Sequence, residues 1–148
     1  MWILLLIAAV VAVVLWIRFA PSDPAVWHVD PETVTKTRRP NQYLLGRSPD
    51  ADGPPVQVSG VAADVAAAFD AAVMGRPGVS RLAGDAASGH VTYVQRTKVM
   101  GYPDFVSVKF GTSEGNTEVS IYSRSRFGHR DFGVNKARVG KWLKLLAA

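Results

Sequence analysis

The sequence predicts an α+β domain on a membrane tether: an antiparallel β-sheet meander with two helices packed on one face, preceded by one N-terminal transmembrane helix and a Pro-rich connector. Three observations carry that expectation. An uncharged apolar run reaches from the start of the chain to Arg18. Seven of the nine prolines fall between Pro21 and Pro55. Beyond Val56, helix-like and strand-like periodicities alternate to the end of the chain. A chain of 148 residues has room for one compact domain plus an appendage. The expected division is an anchor at residues 1–20, a connector at 21–55 and an α+β domain at 56–148.

The anchor follows from length and solvent. At about 1.5 Å rise per residue, about 20 residues cross a hydrocarbon layer of about 30 Å, and Arg18 at the margin can extend its guanidinium outward. Trp2 and Trp16 bracket the run as aromatic residues do at the two headgroup levels. A cleaved signal peptide is the competing reading. Against it, no Lys or Arg precedes the run, and no small-x-small site stands before Pro21 and Pro24. By the positive-inside rule Arg18 draws the C-terminal part toward the cytoplasm, but Lys36, Arg38 and Arg39 lie too far along the chain to strengthen that count.

Proline fixes φ and removes a backbone donor, so the prolines of residues 21–55 oppose helix and central strand alike. Trp27, Val29, Tyr43, Leu44 and Leu45 are nevertheless too apolar to stay solvated, and part of the connector is expected to lie against the domain. Val56-Gln-Val58 reads as a short strand. Val61, Val65, Phe69 and Val73 then recur every four residues in an alanine-rich run, and Gly75 and Pro77 stop the helix. Strand-like runs follow at residues 91–100, 105–110 and 117–127, joined by connections short enough for antiparallel neighbours. In the last of them Val119, Ile121, Ser123 and Ser125 share one face, and Tyr122, Arg124 and Arg126 share the other. A final helix over residues 134–146 places Val139, Trp142, Leu143 and Leu146 on one stripe, with Asp131 as its cap.

Charge is uneven. The net charge is +5, and residues 87–148 hold ten Lys/Arg against four Asp/Glu. The basic residues crowd the turn from the last strand into the last helix. Arg124, Arg126, His129, Arg130, Lys136 and Arg138 could converge there on an anion: a phosphate, a carboxylate, a lipid headgroup or a charged partner. The structural alternative uses the same stretch to build a corner. Asp131 caps, Ser125 and Asn135 tie the backbone, Gly128 and Gly133 permit the turn, and Arg126 or Arg138 pairs with Asp104 or Asp131.

The residues Asp104 and Ser123-Arg-Ser-Arg-Phe-Gly-His-Arg-Asp-Phe-Gly-Val-Asn-Lys-Ala-Arg138 carry a resemblance. Residues 56–146 resemble the domain-of-unknown-function family DUF1499, whose signature is an Asp before a strand and an Arg-Ser-x-Ser-Arg-x-Gly-x-x-Asp-x-Gly-x-Asn-x-x-Arg pattern. Asp104, Ser123, Ser125, Arg126, Gly128, Asp131, Gly133, Asn135 and Arg138 fit, and Tyr122 stands where the pattern has its first Arg. The resemblance names no activity. It implies a bacterial envelope protein, here single-pass in the inner membrane. The domain is then expected on the periplasmic side, with the cytoplasmic side as the alternative.

Catalysis finds little to build on. His28, His90 and His129 lack metal-ligand spacing, no Gly-x-Ser-x-Gly elbow or glycine-rich phosphate loop occurs, and without cysteine there is no thiolate chemistry. No cofactor and no metal is expected, nor nucleic acid as a partner. Beyond lipid around residues 1–20, the expected partner is a protein in an inner-membrane complex, with the domain as an accessory or interaction module. The alternative is a small hydrophobic or anionic, lipid-like ligand held by a helix-grip domain, with Phe69, Met74, Met100 and Trp142 around it.

Overall fold

The computed structural model describes residues 1–147. In chain order its elements are α1 (Trp2–Phe19), α2 (Pro24–Trp27), β1 (Gln42–Leu45), β2 (Val56–Val58), α3 (Ala62–Met74), β3 (Val79–Asp85), β4 (His90–Arg96), β5 (Pro103–Ser113), β6 (Asn116–Ser125) and α4 (Val134–Leu143). A 3-10 turn, Lys144–Ala147, follows α4. The six strands form one antiparallel sheet in the order β1-β6-β5-β4-β3, with β2 lying beside the other half of β6. The fold class is the α+β arrangement that the periodicities predict.

The centre of the sheet is dry on both faces, which is why β5 reads as an almost continuous run of apolar and small residues. On one face Val106, Val108 and Phe110 join Val91, Tyr93, Val119 and Ile121 under α3 and α4. From α3, Ala66, Phe69 and Val73 are buried, and α4 adds Val139 and Trp142. Phe69 sits edge-on to Tyr93, Phe110 and Trp142, with centroids 6.3, 5.5 and 6.2 Å away. Such pairs add to the burial of their area, so truncating Phe69 to alanine would cost about 3–5 kcal/mol. The β5–β6 hairpin closes between Ser113 and Asn116 on Glu114-Gly115, with φ of 49° and 83°. Two consecutive left-handed residues match the twist of a tight hairpin.

The second face is covered by the chain's own N-terminal segment. Asp23 caps the single turn of α2 by accepting from the Ala25 N–H at 2.9 Å. That turn delivers Trp27 flat onto Phe105, with centroids 4.0 Å apart. His28 stacks on His90 at 4.0 Å and its Nδ1 lies 2.8 Å from Thr92 Oγ1. Lys109 reaches Asp30 at 2.5 Å and Glu32 at 3.0 Å. The stretch 21–55 thus supplies α2, this cover and strand β1.

Several elements differ from the sequence expectation. β1 and β3 are strands the periodicity does not announce. β4 stops at Arg96, where residues 97–102 leave the sheet in a turn that the Thr97 N–H closes on the Tyr102 carbonyl, with Met100, Gly101 and Tyr102 beside α1. The last strand ends at Ser125, and α4 gives way to the 3-10 turn at Lys144.

Candidate functional site at the signature corner and the basic end of the sheet

β6 delivers Ser123 and Ser125 to the helix side of the sheet, and the next turn brings α4 back across them. Gly128, Phe132 and Gly133 take positive φ (86°, 52° and 83°), so the corner uses left-handed backbone at three points. For Phe132, which is 94% exposed, that conformation is a strained choice. Asp131 accepts from the N–H of Gly133 at 3.1 Å and of Asn135 at 2.8 Å, which caps the first turn of α4. Burial opposes the Asp131 charge, but the hydrogen bonds from Asn135 and Gly133 prevail and hold the carboxyl below its ordinary value.

Asn135, fully buried, is the hub. Its amide donates to the Asn41 carbonyl at 2.8 Å, Ser125 Oγ at 2.9 Å and Asp131 Oδ2 at 2.7 Å. Its Oδ1 accepts from Ser123 Oγ at 2.6 Å and Arg138 Nη1 at 2.8 Å. Arg138 turns its other nitrogen to Asp104 of β5 at 2.5 Å. Burial pushes the Asp104 carboxyl above its ordinary range even against the pull of Arg138. Asn41 closes the circuit by donating to the Gly128 carbonyl at 2.8 Å. Ser123, Ser125, Asp131, Asn135, Arg138 and Asp104 therefore satisfy one another.

The structure does not bring the five candidate cations to one point. Arg138 is held inside the network on the helix side. Arg124 lies on the opposite face, its guanidinium 4.6 Å from the Trp27 ring and 5.2 Å from Tyr122, donating to the carbonyls of Val26 and Trp27 at 3.1 and 3.2 Å. Arg126 turns toward the end of α1 and donates to the Pro21 carbonyl at 2.9 Å. Arg130 and Lys136 are exposed, the latter 5.7 Å from the Tyr43 ring. The reason is the strand period: 124 and 138 approach β6 from opposite faces. The four residues proposed to line a cavity also separate. Phe69 and Trp142 are core, Met74 is exposed, and Met100 lies beside α1.

A different basic surface forms where the ends of β4, α3 and α4 meet. A cleft of about 440 Å³ is lined by Arg76, Arg96, Lys98, Arg138, Lys141 and the edge of Trp142, among others. Of these cations only Arg138 is in an ion pair among the described residues. Next to it, Arg18 of α1 closes a second hollow with Arg96 and Lys98. Sequence reasoning misses this cluster because its members come from four separate elements. The one local signal was Arg96-Thr-Lys98, two cations beside the apolar Val99-Met100 tip. Among the described residues no group of three or more His, Asp or Glu stands together as a metal site.

A model of a protein family of unknown function, DUF1499, matches residues 25–146. The chain belongs to the DUF1499 family. No curated protein and no solved structure matches it. The DUF1499 match opens inside α2, so it takes in the covering segment, β1 and Asn41, and leaves α1 outside. Every signature position from Ser123 to Arg138 except Arg126 and Gly133 reaches the network through a side chain or carbonyl. In this chain those positions build the corner between β6 and α4.

Proposed function

We propose that this DUF1499 chain is a single-pass protein of the bacterial inner membrane whose α+β domain serves as a non-catalytic accessory or interaction module. One observation carries the anchored reading: α1 leaves nearly all of its apolar surface exposed, yet its last turn is fastened to the domain. Ile17 is the one buried residue of its eighteen. Trp16 meets Phe127 edge-on at 5.7 Å, Arg126 holds the Pro21 carbonyl, and Gly101 packs against Arg18. A helix with a wet apolar surface needs lipid, and a leader removed on export gains nothing from contacts that persist in the folded domain.

The non-catalytic part of the reading is supported by the corner, where the polar side chains of the pattern read from sequence have donors and acceptors filled by one another. Such groups serve rigidity more readily than bond-making. The periplasmic side is favoured by the resemblance to envelope proteins. Carbonate extraction and intact mass test the anchor: the chain should stay in the membrane pellet with residues 1–20 in place, and a soluble chain beginning near Pro21 would overturn it. Because the chain has no cysteine, Ser113→Cys at the end of β5 reports the side. Labelling by an impermeant maleimide in intact spheroplasts is expected, and labelling only after lysis would place the domain in the cytoplasm. Purification from native membranes should bring a protein partner with it, and recovery of the protein alone would count against the accessory role.

A further inference from the structure

The junction between α1 and the loop at residues 97–102 has two adjoining hollows of opposite character. The first is an apolar groove of about 270 Å³ between α1, from Ala9 to Ile17, and the side chains of Met100 and Tyr102. Val10 and Val13 remain more than half exposed along it, so it is open sideways. The second is a hollow of about 360 Å³ whose charged lining residues are Arg18, Arg96 and Lys98, with no carboxylate among the described lining residues. They meet at the Ile17–Arg18 step of the helix and the Met100–Gly101 step of the loop.

We propose that this junction binds one anionic phospholipid, with its phosphate against Arg18, Arg96 and Lys98 and an acyl chain in the groove between α1 and Met100. The inference rests on α1 lying in the bilayer, as proposed above. Geometry then sets the depth. From Arg18 back to Ala9 is about 13 Å at about 1.5 Å rise per residue, close to half of a hydrocarbon layer of about 30 Å. The groove therefore runs the depth of one leaflet, and the basic hollow sits at the level of its headgroups. Val99, 85% exposed at the loop tip, is a side chain that such a position would bury in lipid.

The cations are arranged to need an anion. Arg96 donates to the Gly101 carbonyl at 2.9 Å, and Arg18 lies against the same glycine, where a Cβ would meet it at 3.2 Å. Gly101 at φ 70° lets the two arginines approach from either side. Neither they nor Lys98 forms an ion pair among the described residues. Burial, then the neighbouring Arg18 and Arg126, disfavour the charged form of Arg96. A phosphate would relieve both effects with charge-assisted hydrogen bonds. A free phosphate could use the hollow but has no use for the groove, and a zwitterionic lipid could use the groove but brings a compensating cation.

The test uses the full chain in maltoside detergent, read by native mass spectrometry and thermal unfolding with phosphatidylglycerol, phosphatidylcholine or inorganic phosphate. Phosphatidylglycerol should remain as a one-to-one adduct and raise Tm, and the other two should do neither. Arg18→Gln/Lys98→Gln should reduce adduct retention roughly tenfold, as the loss of charge-assisted bonds does, while leaving the lipid-free Tm in place. Val13→Trp, which fills the groove, should reduce retention to a similar extent. Equal retention of both lipids, protection by phosphate equal to that by phosphatidylglycerol, or adducts indifferent to either variant would overturn the site. A chain that keeps residues 1–20 in the membrane but shows no lipid preference defeats this proposal alone, whereas loss of those residues defeats the anchor.

Discussion

At residue scale, Asn135 and Arg124 show why composition is a poor guide to role. Asn135 is a neutral amide, yet its removal would take five side-chain hydrogen bonds out of a dry corner, those to Ser123, Ser125, Asp131, Arg138 and the Asn41 carbonyl. Asn135→Ala is therefore expected to cost about 3 kcal/mol, the range for breaking a buried hydrogen-bond network. Asp131→Ala loses the helix cap and one of the three acceptors of the Asn135 amide, and should cost less, about 1–2 kcal/mol. Urea unfolding of both checks the order, and an Asn135 variant milder than the Asp131 one would show that the network is loose. Arg124, one of the cations expected from sequence to face an anion, ties β6 to the covering segment. Stacked on Trp27 and donating to two carbonyls, it should lower stability by about 2 kcal/mol when replaced by alanine. Arg124→Lys should recover less than half of that, since an ammonium lacks the planar fork. If Arg124→Ala leaves the midpoint unmoved, the segment does not need the stack.

The covering segment is the element that decides what the sheet can present. It turns the back face of β4, β5 and β6 from a wet surface into a buried one, and it couples that burial to pH through His28. The ordinary value of 6.5 is lowered in the folded chain, first by burial and then by the His90 charge. His28 also faces Thr92, and Asp30 stands beside His90. As pH falls below about 6.5 the unfolded chain takes the proton first, so stability drains from that point down to the lower folded value; at higher pH both states are neutral and nothing is lost. Thermal melts at about pH 7.5 and about pH 5.5 should show a larger loss for the native chain than for His28→Gln, and equal losses would remove His28 as the cause. The same segment marks where sequence reading ends. β4, β5 and β6 were legible because buried strands must be rich in Val, Phe and Tyr. β3 was not, because an edge strand reading Val-Ser-Arg-Leu-Ala-Gly-Asp has neither an apolar run nor a two-residue alternation, and β1 offers just Tyr43-Leu44-Leu45 among prolines. The strand period correctly put Arg124 and Ser123 on opposite faces. That Trp27 would lie over the first, and that Asn41 would bond Ser125 two residues past the second, depends on contacts about 80 and more residues apart, which periodicity does not encode.

For the whole molecule, the question is whether α1 is part of the domain or only tied to it. The buried cluster under α3 and α4 contains no α1 residue, and the DUF1499 match begins at residue 25. What α1 contributes is local: burial of Ile17 and Ala20, the Trp16 edge on Phe127, and the terminal carbonyls that Arg126 holds. Removing residues 1–19 should accordingly leave a folded domain with unchanged sheet and helix content. Losing an aliphatic side chain's burial and one edge contact amounts to about 2 kcal/mol, or a fall in Tm of roughly 4–10 °C for a chain of this size. The same cut uncovers Met100, Tyr102 and Phe127 as one apolar patch beside unpaired arginines. The truncated domain should therefore associate with itself, or with vesicles, where the full chain in detergent does not. Circular dichroism with sedimentation separates the outcomes. A folded, self-associating fragment fits a tether seated on a finished domain, whereas an unfolded one would mean that the last turn of α1 belongs to the core.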